Sequence, residues 1–481
     1  MLLALLPALL VISPDSGKVY SGQANAIAVQ LPRLEVEVTV DGNLDEAAWR
    51  QAALLNGFSQ FSPTDGVPAA DSTQVLVWYS PTAVYFGIRA FEVHGGVHAT
   101  LADRDRIGAD DHVQLLLGTF NDGRQATLFA VNPYGVQADG ALVESGQARG
   151  GGAGGGTAGA RDQADLSPDY VFQSKGRLTD YGYQVEVRIP FKSLRYQPAQ
   201  EQTWQLNVLR EVQHSGYEDS WAPARRASAS FLQQSGQLVG LTDLQRGLVL
   251  DLNPVLTARA TGVPAAAGWH YDTPTPELSG NVRWGVSNNL TLNGTANPDF
   301  SQVESDAGQV NYDPRQALFF PEKRPFFLDG IEQFNTPNNL IYTRRIVQPV
   351  GAVKLTGKAL GTELAFLSAM DDRSASATGR DHPFFNLVRM QRDLGSQARL
   401  GIAYTDRIDG DNYNRVAGVD TRVGFGGVYN LRAQLAGSRT RQVGVTTDAP
   451  LWYAAFNRNG RTFGWRTSIN AISENFKARS G

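Results

Sequence analysis

From about residue 247 onward the sequence is a succession of segments, each roughly ten residues long, in which apolar residues alternate with polar or small ones. In "NLTLNGTAN", Leu290, Leu292, Gly294 and Ala296 fall on one face of an extended chain, and Thr291, Asn293, Thr295 and Asn297 on the other. "YNLRAQLAGS" sets Tyr429, Leu431, Ala433 and Leu435 against Asn430, Arg432 and Gln434; "SQARLGIAYT" sets Leu400, Ile402 and Tyr404 against Gln397, Arg399 and Thr405. About ten residues is the length of a tilted strand crossing a bilayer, with one face suited to lipid and the other to a wet interior. A soluble sandwich with one wet face alternates in the same way. The number of consecutive segments with one length and one polarity contrast favours a membrane barrel of about ten visible strands. Loops such as "DDRSASATGRDHP" and "DRIDGDNYNR" separate them, and Trp284, Tyr404, Tyr429, Trp452, Phe463 and Trp465 fit interfacial girdles. Because an unpaired strand edge is not viable in lipid, residues 247–481 read as an incomplete transmembrane antiparallel β-barrel, part of a longer one.

Composition narrows the alternatives. The chain has no cysteine, which removes disulfide frameworks, thiolate metal sites and cysteine nucleophiles. A net charge of -4 with the two signs mixed throughout gives no electrostatic footprint for nucleic acid, so no nucleic-acid partner is expected. "LLALLPALLVI" at the N-terminus has signal-peptide length and is too short to span a bilayer, and "ANA" at Ala24–Ala26 offers a small-x-small cleavage site. Residues 1–26 are therefore expected to be an export leader.

Between about 34 and 243 the pattern is that of a soluble all-β unit. "TQVLVWYS" and "AVYFGIRAFE" form one predicted hairpin, "DHVQLLLGTF" and "ATLFAVNPYG" a second across "NDGR", and "YVFQSKGRLT" with "YGYQVEVRIP" a third. Seven or more short strands with regular turns predict a β-sandwich. The glycine-rich stretch from Arg149 to Arg161 cannot bury apolar surface and reads as a loop inside this unit. The fold class expected is all-β, a sandwich followed by a barrel.

Two groups of residues carry a family resemblance. "VDGNLDEAAWRQA", "DDHVQLLLGTFNDGRQATLFAVNPYGVQADG" and "VRIPFKSLRY" resemble the family 9 carbohydrate-binding-module-like domain, in the version fused to a bacterial outer-membrane β-barrel of unknown function. "NPDFSQVESDAGQVN" with "FFPEKRPFFLDG" is similar to the signature that opens that barrel region. The resemblance implies a Gram-negative outer-membrane protein whose N-terminal domain, periplasmic or surface-exposed, takes a glycan or polysaccharide as partner, beside the outer-membrane lipid around the barrel. Relatives tend to carry a tryptophan after an Asp-rich loop where this chain has "LSPDYVF", so one aromatic platform is in question.

Sugar recognition needs flat aromatic faces and hydroxyl-binding polar groups. Trp78, Tyr134 and Trp221 are the stacking candidates, with Arg104, Asn132, Gln137 and Glu144 as hydrogen-bonding ones. Trp49 in "LDEAAW" is expected to pack the opening segment onto the core. Asn132 in "NPYG" serves a turn as readily as a ligand. "DRDRIGADDH" gathers Asp103, Asp105, Asp110 and Asp111, oxygen donors of the kind calcium takes; EF-hand spacing is absent, and a solvated acidic turn is the plainer reading. His94 and His98 sit four apart in a glycine-broken loop, which lacks the helical geometry of a zinc pair. No other cofactor is expected. Glycoside hydrolysis is the alternative activity and needs two carboxylates flanking a bond; Glu144, Glu186, Glu211 and Glu218 are available, with nothing in the sequence linking any two. Binding therefore ranks ahead of hydrolysis, and a channel or transporter with the sandwich as plug or scaffold is a further alternative.

"FFPEKRPFF" lies in an unusually long connection, residues 298–345. Its prolines disfavour a central strand and its charges are unsuited to lipid. Its phenylalanines, Phe319, Phe320, Phe326 and Phe327, are expected to anchor a plug-like segment, with Glu322, Lys323 and Arg324 facing water or one another.

Overall fold

The computed structural model describes residues 17–144, 161–266, 268–300 and 320–480. The described chain is all-β, in two sandwiched sheets followed by one wide sheet. Most of the predicted leader and of the glycine-rich stretch, together with Phe319, lies outside the described residues.

In spatial order the first sandwich sheet runs Val19–Ser21, Ala53–Asn56, Thr73–Tyr79, Ala83–Phe91, Gly182–Pro190 and Gln173–Thr179. The second runs Ala28–Gln30, Gly236–Thr242, Glu201–Val212, His112–Gly118, Gln125–Val131 and Gln137–Val143, with Tyr217–Ser220 paired to Glu201–Val212. All three predicted hairpins form, in registers that place Val75 opposite Ile88, Leu115 opposite Phe129 and Val185 opposite Gly176. Val19–Ser21 pairs in parallel with Ala53–Asn56, so the sandwich takes in residues that the cleavage pattern assigned to a leader. Between the sheets lie Val77, Phe86, Ile88, Leu115, Phe129, Val185, Trp204 and Leu206, all buried. This is an ordinary water-soluble core, apolar inside. A short helix, Ala47–Gln51, covers the outer face of the first sheet, where Trp49 meets Trp78 and Leu76 as the opening segment was expected to do.

The wide sheet has eleven antiparallel strands in sequence order: Leu250–Arg259, Thr275–Gly285, Leu290–Ala296, Pro349–Ala359, Thr362–Asp371, Phe384–Leu394, Ala398–Asp409, Asn412–Phe425, Tyr429–Gln442, Val445–Asn459 and Gly464–Ile472. "DRIDGDNYNR", expected as a loop, is mostly strand: the chain turns through Gly410 and Asp411 alone, with Gly410 at a φ of 60°.

The two faces of this sheet invert the sandwich rule. Leu256, Leu278, Leu400, Ile402, Leu431, Leu435, Trp452 and Ile469 are exposed. On the covered face Thr291, Asn293, Lys354, Thr356, Lys358, Arg389, Thr405, Arg432 and Gln434 are buried. The inserted segment supplies the cover. Phe326, Phe327, Phe334 and Ile346 pack on Ala365, Leu367, Ala369, Phe385 and Leu387, while Leu340 packs on Ala403, Val416, Ala436 and Leu451. Glu322 and Arg324 are buried and pair at 2.7 Å, and the Arg324 guanidinium stacks over Phe327 at 4.1 Å. The charges of "FFPEKRPFF" thus satisfy each other beneath an aromatic cover, which is how a charge pair is kept out of water without being left bare.

Candidate functional site

The sandwich meets the wide sheet along one rim, and five hairpin turns of that rim carry the contacts. Tyr196 N–H donates to Asn288 O and Arg246 to Ser287 O. Arg124 donates to Gly395 O and Ala398 O, Ala229 N–H donates to Gly427 O, and Asn459 donates to Ser228 O. Beside these backbone contacts is a charge network. Lys358, next to the turn at Leu360–Gly361, lies 2.5 Å from Asp122 of the sandwich and 2.5 Å from Asp393 of the sheet. Arg124 adds 3.2 Å to Asp393, and Arg399 reaches both Glu363 and Asp393. Asp329, just after Phe326 and Phe327 in the buried segment, accepts from Arg195 of the sandwich and from Arg283 and Asn293 of the sheet. Removing one member of such a set leaves its partner buried and uncompensated, a loss of about 3–5 kcal/mol.

Glu144 belongs to this junction. It accepts from Leu232 N–H at 2.7 Å and faces Arg422 at 3.4 Å, and its burial raises its pKa against the pull of Arg422. It is therefore withdrawn from sugar contact.

The other predicted site residues separate into core and surface. Trp78 has no exposed area; it stacks on Tyr85 with centroids 4.0 Å apart and planes 3° apart, and meets Trp49 edge-on. Trp221 is equally enclosed and donates its indole N–H to Tyr20 O at 3.3 Å. Neither presents a face to solvent, which corrects their assignment as sugar platforms. The sequence could not show this, because strands 73–79 and 83–91 are covered on both faces.

Tyr134 differs: it stands partly exposed at the tip of the turn between Gln125–Val131 and Gln137–Val143. Asn132 builds that turn and has no capacity left for a ligand. Its Oδ1 accepts from Tyr134 N–H at 3.0 Å and Val136 N–H at 2.9 Å, and its Nδ2 donates to Thr100 O and Asp110 Oδ2, both at 2.8 Å. Gly135 follows with a φ of 78°, and a Cβ there would lie 2.7 Å from Gly176 N, so both backbone conformation and space demand glycine.

Three residues after Tyr134, Gln137 Oε1 accepts from Arg104 at 2.8 Å while its Nε2 donates to Ser174 Oγ and Phe172 O. Arg104 also donates to Asp139 at 2.5 Å and Tyr170 O at 2.8 Å and lies over the Phe172 ring at 5.8 Å, with 40% of its side chain still open to solvent. Burial pushes the Asp139 carboxyl up to about 6, opposed by the Tyr170 N–H and Arg104 that it binds. The structure thus joins Gln137 and Arg104 directly, and leaves Tyr134 on the turn three residues before Gln137 at the same end of the second sheet. An aromatic ring and a guanidinium suit a ligand with an apolar face and a hydroxyl edge.

The four aspartates proposed for calcium serve separate partners. Asp105 accepts from Asp139 N–H, Asp110 from Thr100 and Asn132, and Asp111 from His98 N–H and Gln213 N–H; Asp103 is exposed and closes a turn through its backbone carbonyl. Their carboxylates tie loops together and do not converge on one point, so the acidic run is a structural turn. Among the described residues Asp71, Glu92 and His214 each bring one possible ligand atom within 4.8 Å of the others, a grouping that sequence spacing does not connect. Of the carboxylates considered for hydrolysis, Glu211 and Glu218 are cross-strand neighbours and both face Arg161, at 3.7 and 2.8 Å. Glu186 is buried elsewhere, under Asp41 N–H and Gly42 N–H.

A family model described as a domain of unknown function, DUF5916, matches residues 271–362, the stretch that holds "FFPEKRPFF" and the strands around it. No curated protein matches the chain. Among solved structures, a family 9 carbohydrate-binding module from Caldicellulosiruptor kristjanssonii in complex with cellotriose is similar at 14% identity, covering 44% of this chain and 95% of that one, with a TM-score of 0.30. A family 9 carbohydrate-binding module from the same organism in complex with glucose is similar at 14% identity, covering 46% of this chain and 100% of that one, with a TM-score of 0.30. The translocation pore of the P pilus usher PapC matches 87% of this chain and 95% of that one at 7% identity and a TM-score of 0.20. Similarity at these TM-scores supports no functional inference by itself.

Proposed function

We propose that this protein captures a glycan at the outer membrane, binding it on the sandwich around Tyr134 and Arg104. The observation that carries the reading is that Tyr134, alone of the three candidate aromatics, reaches solvent, three residues from the Gln137 that holds Arg104 in place. A sugar ring stacked on Tyr134 would set its hydroxyls toward groups that already hold a fixed orientation, so little side-chain freedom is lost on binding. The lipid partner is supported by the inverted wide sheet, with leucines and tryptophans outward and threonine, asparagine and paired charges inward. All its connections on the sandwich side are turns of two to four residues, and its longest ones, residues 260–274, 297–348 and 372–383, lie on the opposite rim beside two-residue turns. In outer-membrane barrels short turns are periplasmic and long loops extracellular, which favours a periplasmic sandwich.

The test is calorimetric titration of the full chain in detergent with glucose and cellotriose, followed by an oligosaccharide array. Tyr134→Ala is expected to weaken binding about tenfold, or about 1.4 kcal/mol, and Arg104→Ala to do the same or more. Unchanged affinity in both variants would end the proposal. A second reading, the sandwich as stopper of a pore, is favoured by the buried Lys358–Asp122–Asp393 network that fastens it to the rim. Absence of saccharide binding, together with conductance in planar bilayers that appears only when that network is broken, would put the second reading first.

A further inference from the structure

Asp71, Glu92 and His214 have no part in the Tyr134 turn or the rim junction, and one ligand atom from each falls within 4.8 Å of the others. They come from three separate connections. Asp71 precedes strand Thr73–Tyr79, Glu92 follows strand Ala83–Phe91, and His214 sits in the turn that joins Glu201–Val212 to Tyr217–Ser220 in the opposing sheet. The site therefore lies where the two sheets of the sandwich meet.

Glu92 keeps one carboxylate oxygen unpaired at this cluster, and the other two side chains are held beside it. The Glu92 side chain is 1% exposed; its Oε2 accepts from Arg210 at 2.7 Å, and its Oε1 has no hydrogen-bond donor. His214 Nδ1 stands 3.3 Å from that Oε1 without forming an aligned hydrogen bond. Asp71 is fixed by Val93 N–H at 3.1 Å and by His94 Nδ1 at 2.7 Å. The His214 ring is seated by Gly95, where a Cβ would come within 2.8 Å of it. Both terminal nitrogens of Arg210 are occupied, since their other contacts are Phe91 O, Ser72 O and Thr73 Oγ1, while its Nε is buried without an acceptor. Asp71 and Glu92, with Asp111 and Asp219 close enough to act on the same groups, outnumber the Arg210 guanidinium and the His94 that pairs with Asp71, around a buried acceptor with an open lone pair, a setting that a small cation completes.

We propose that Asp71, Glu92 Oε1 and His214 Nδ1 hold a divalent transition-metal ion of the zinc or manganese class that ties the two sheets together. His94 acts as a positioning residue through its hydrogen bond to Asp71. Mixed imidazole and carboxylate donors suit these ions, whereas calcium takes oxygen ligands only. His214 keeps 30% of its side chain exposed, which gives the ion a path in and room for water to complete its coordination.

The experiment uses tag-free full-length protein in detergent, stripped with EDTA and titrated calorimetrically with zinc, manganese or calcium chloride. One equivalent of zinc or manganese is expected to bind, with cobalt(II) at the same site giving a visible absorption spectrum characteristic of imidazole ligation. His214→Ala, on a surface turn that tolerates truncation, is expected to abolish that spectrum and weaken zinc binding at least tenfold. His94→Ala should weaken it about tenfold while leaving the spectrum in place. Glu92→Gln serves as the second ligand variant. No heat of binding with any transition metal, binding unaffected by both His214→Ala and Glu92→Gln, or displacement of zinc by equimolar calcium would each overturn the proposal.

Discussion

The sandwich and the wide sheet are both built from antiparallel strands with two-residue periodicity, yet they solve opposite solvation problems. In the sandwich Val77, Phe86 and Val185 face inward. In the sheet Leu435 and Ile402 face outward, while Arg432 and Gln434 are buried. The alternation is the same and its polarity is reversed, so the period of a strand reports only that its two faces differ. Which face is covered depends on what lies above it: a second apolar sheet in one case, and in the other an inserted segment that combines phenylalanines with paired charges.

That contrast can be broken most severely from the sandwich side. Trp204, enclosed by Phe191 and Tyr196, fills a large volume, and Trp204→Ala is expected to destabilise the sandwich by about 3–5 kcal/mol, measured by loss of near-ultraviolet circular dichroism in urea. The same substitution at Trp452, exposed on the sheet, should cost far less. Next in size is Leu435→Arg, a charge placed on the outward face. In lipid vesicles it is expected to destabilise the sheet by about 2–4 kcal/mol, read from the midpoint of denaturant unfolding. A smaller cost is expected in detergent micelles, whose thinner apolar layer lets the guanidinium reach water; no cost in either medium would show that the outward face does not meet hydrocarbon.

The smallest effect sharpens the comparison through pH. Glu186 is buried in the sandwich with Oε1 unpaired, and burial pushes its carboxyl from 4.5 up to about 7, opposed by the Asp41 and Gly42 N–H groups. Between those two values the folded state holds more protons than the unfolded one, so stability falls as pH rises from about 4.5 to about 7 and is level beyond. Glu186→Gln should remove that slope and stabilise the protein at pH 8 by roughly 2 kcal/mol, measured by thermal unfolding across the pH range. A slope unchanged in the variant would assign it to another group.

Local pattern carried most of the architecture. Three sandwich hairpins, the strands around Leu290, Leu400 and Leu431 and the burial of Phe326 and Phe327 all follow from alternation, turn residues and proline placement. What the chain kept back was long-range. Trp78 looked as open as any strand tryptophan because the helix that covers it, with Trp49, comes from a segment before the strand and adds a third layer. Trp221 sits in an irregular stretch, yet Tyr20 encloses it from the far end of the domain. Lys358 and Asp122 are 236 residues apart, and no single-sequence signal pairs them. The Asp71, Glu92 and His214 grouping was hidden for the same reason: the spacing rule that dismissed His94 and His98 tests only neighbours in sequence, and this cluster is assembled across two sheets.

The two rims of the wide sheet also differ in how much extra chain they can accept. On the rim that meets the sandwich, the turns at Gly361, Gly395 and Gly427 use left-handed glycines and lie against or beside a packed surface, so inserted residues there would have to displace an entire domain. On the opposite rim, Gly410 and Gly444 close equally tight turns with no sandwich above them, and residues 372–383 form a longer excursion. Epitope tags, fluorophores or protease sites belong on that second rim, where the molecule can be altered in length without being altered in assembly.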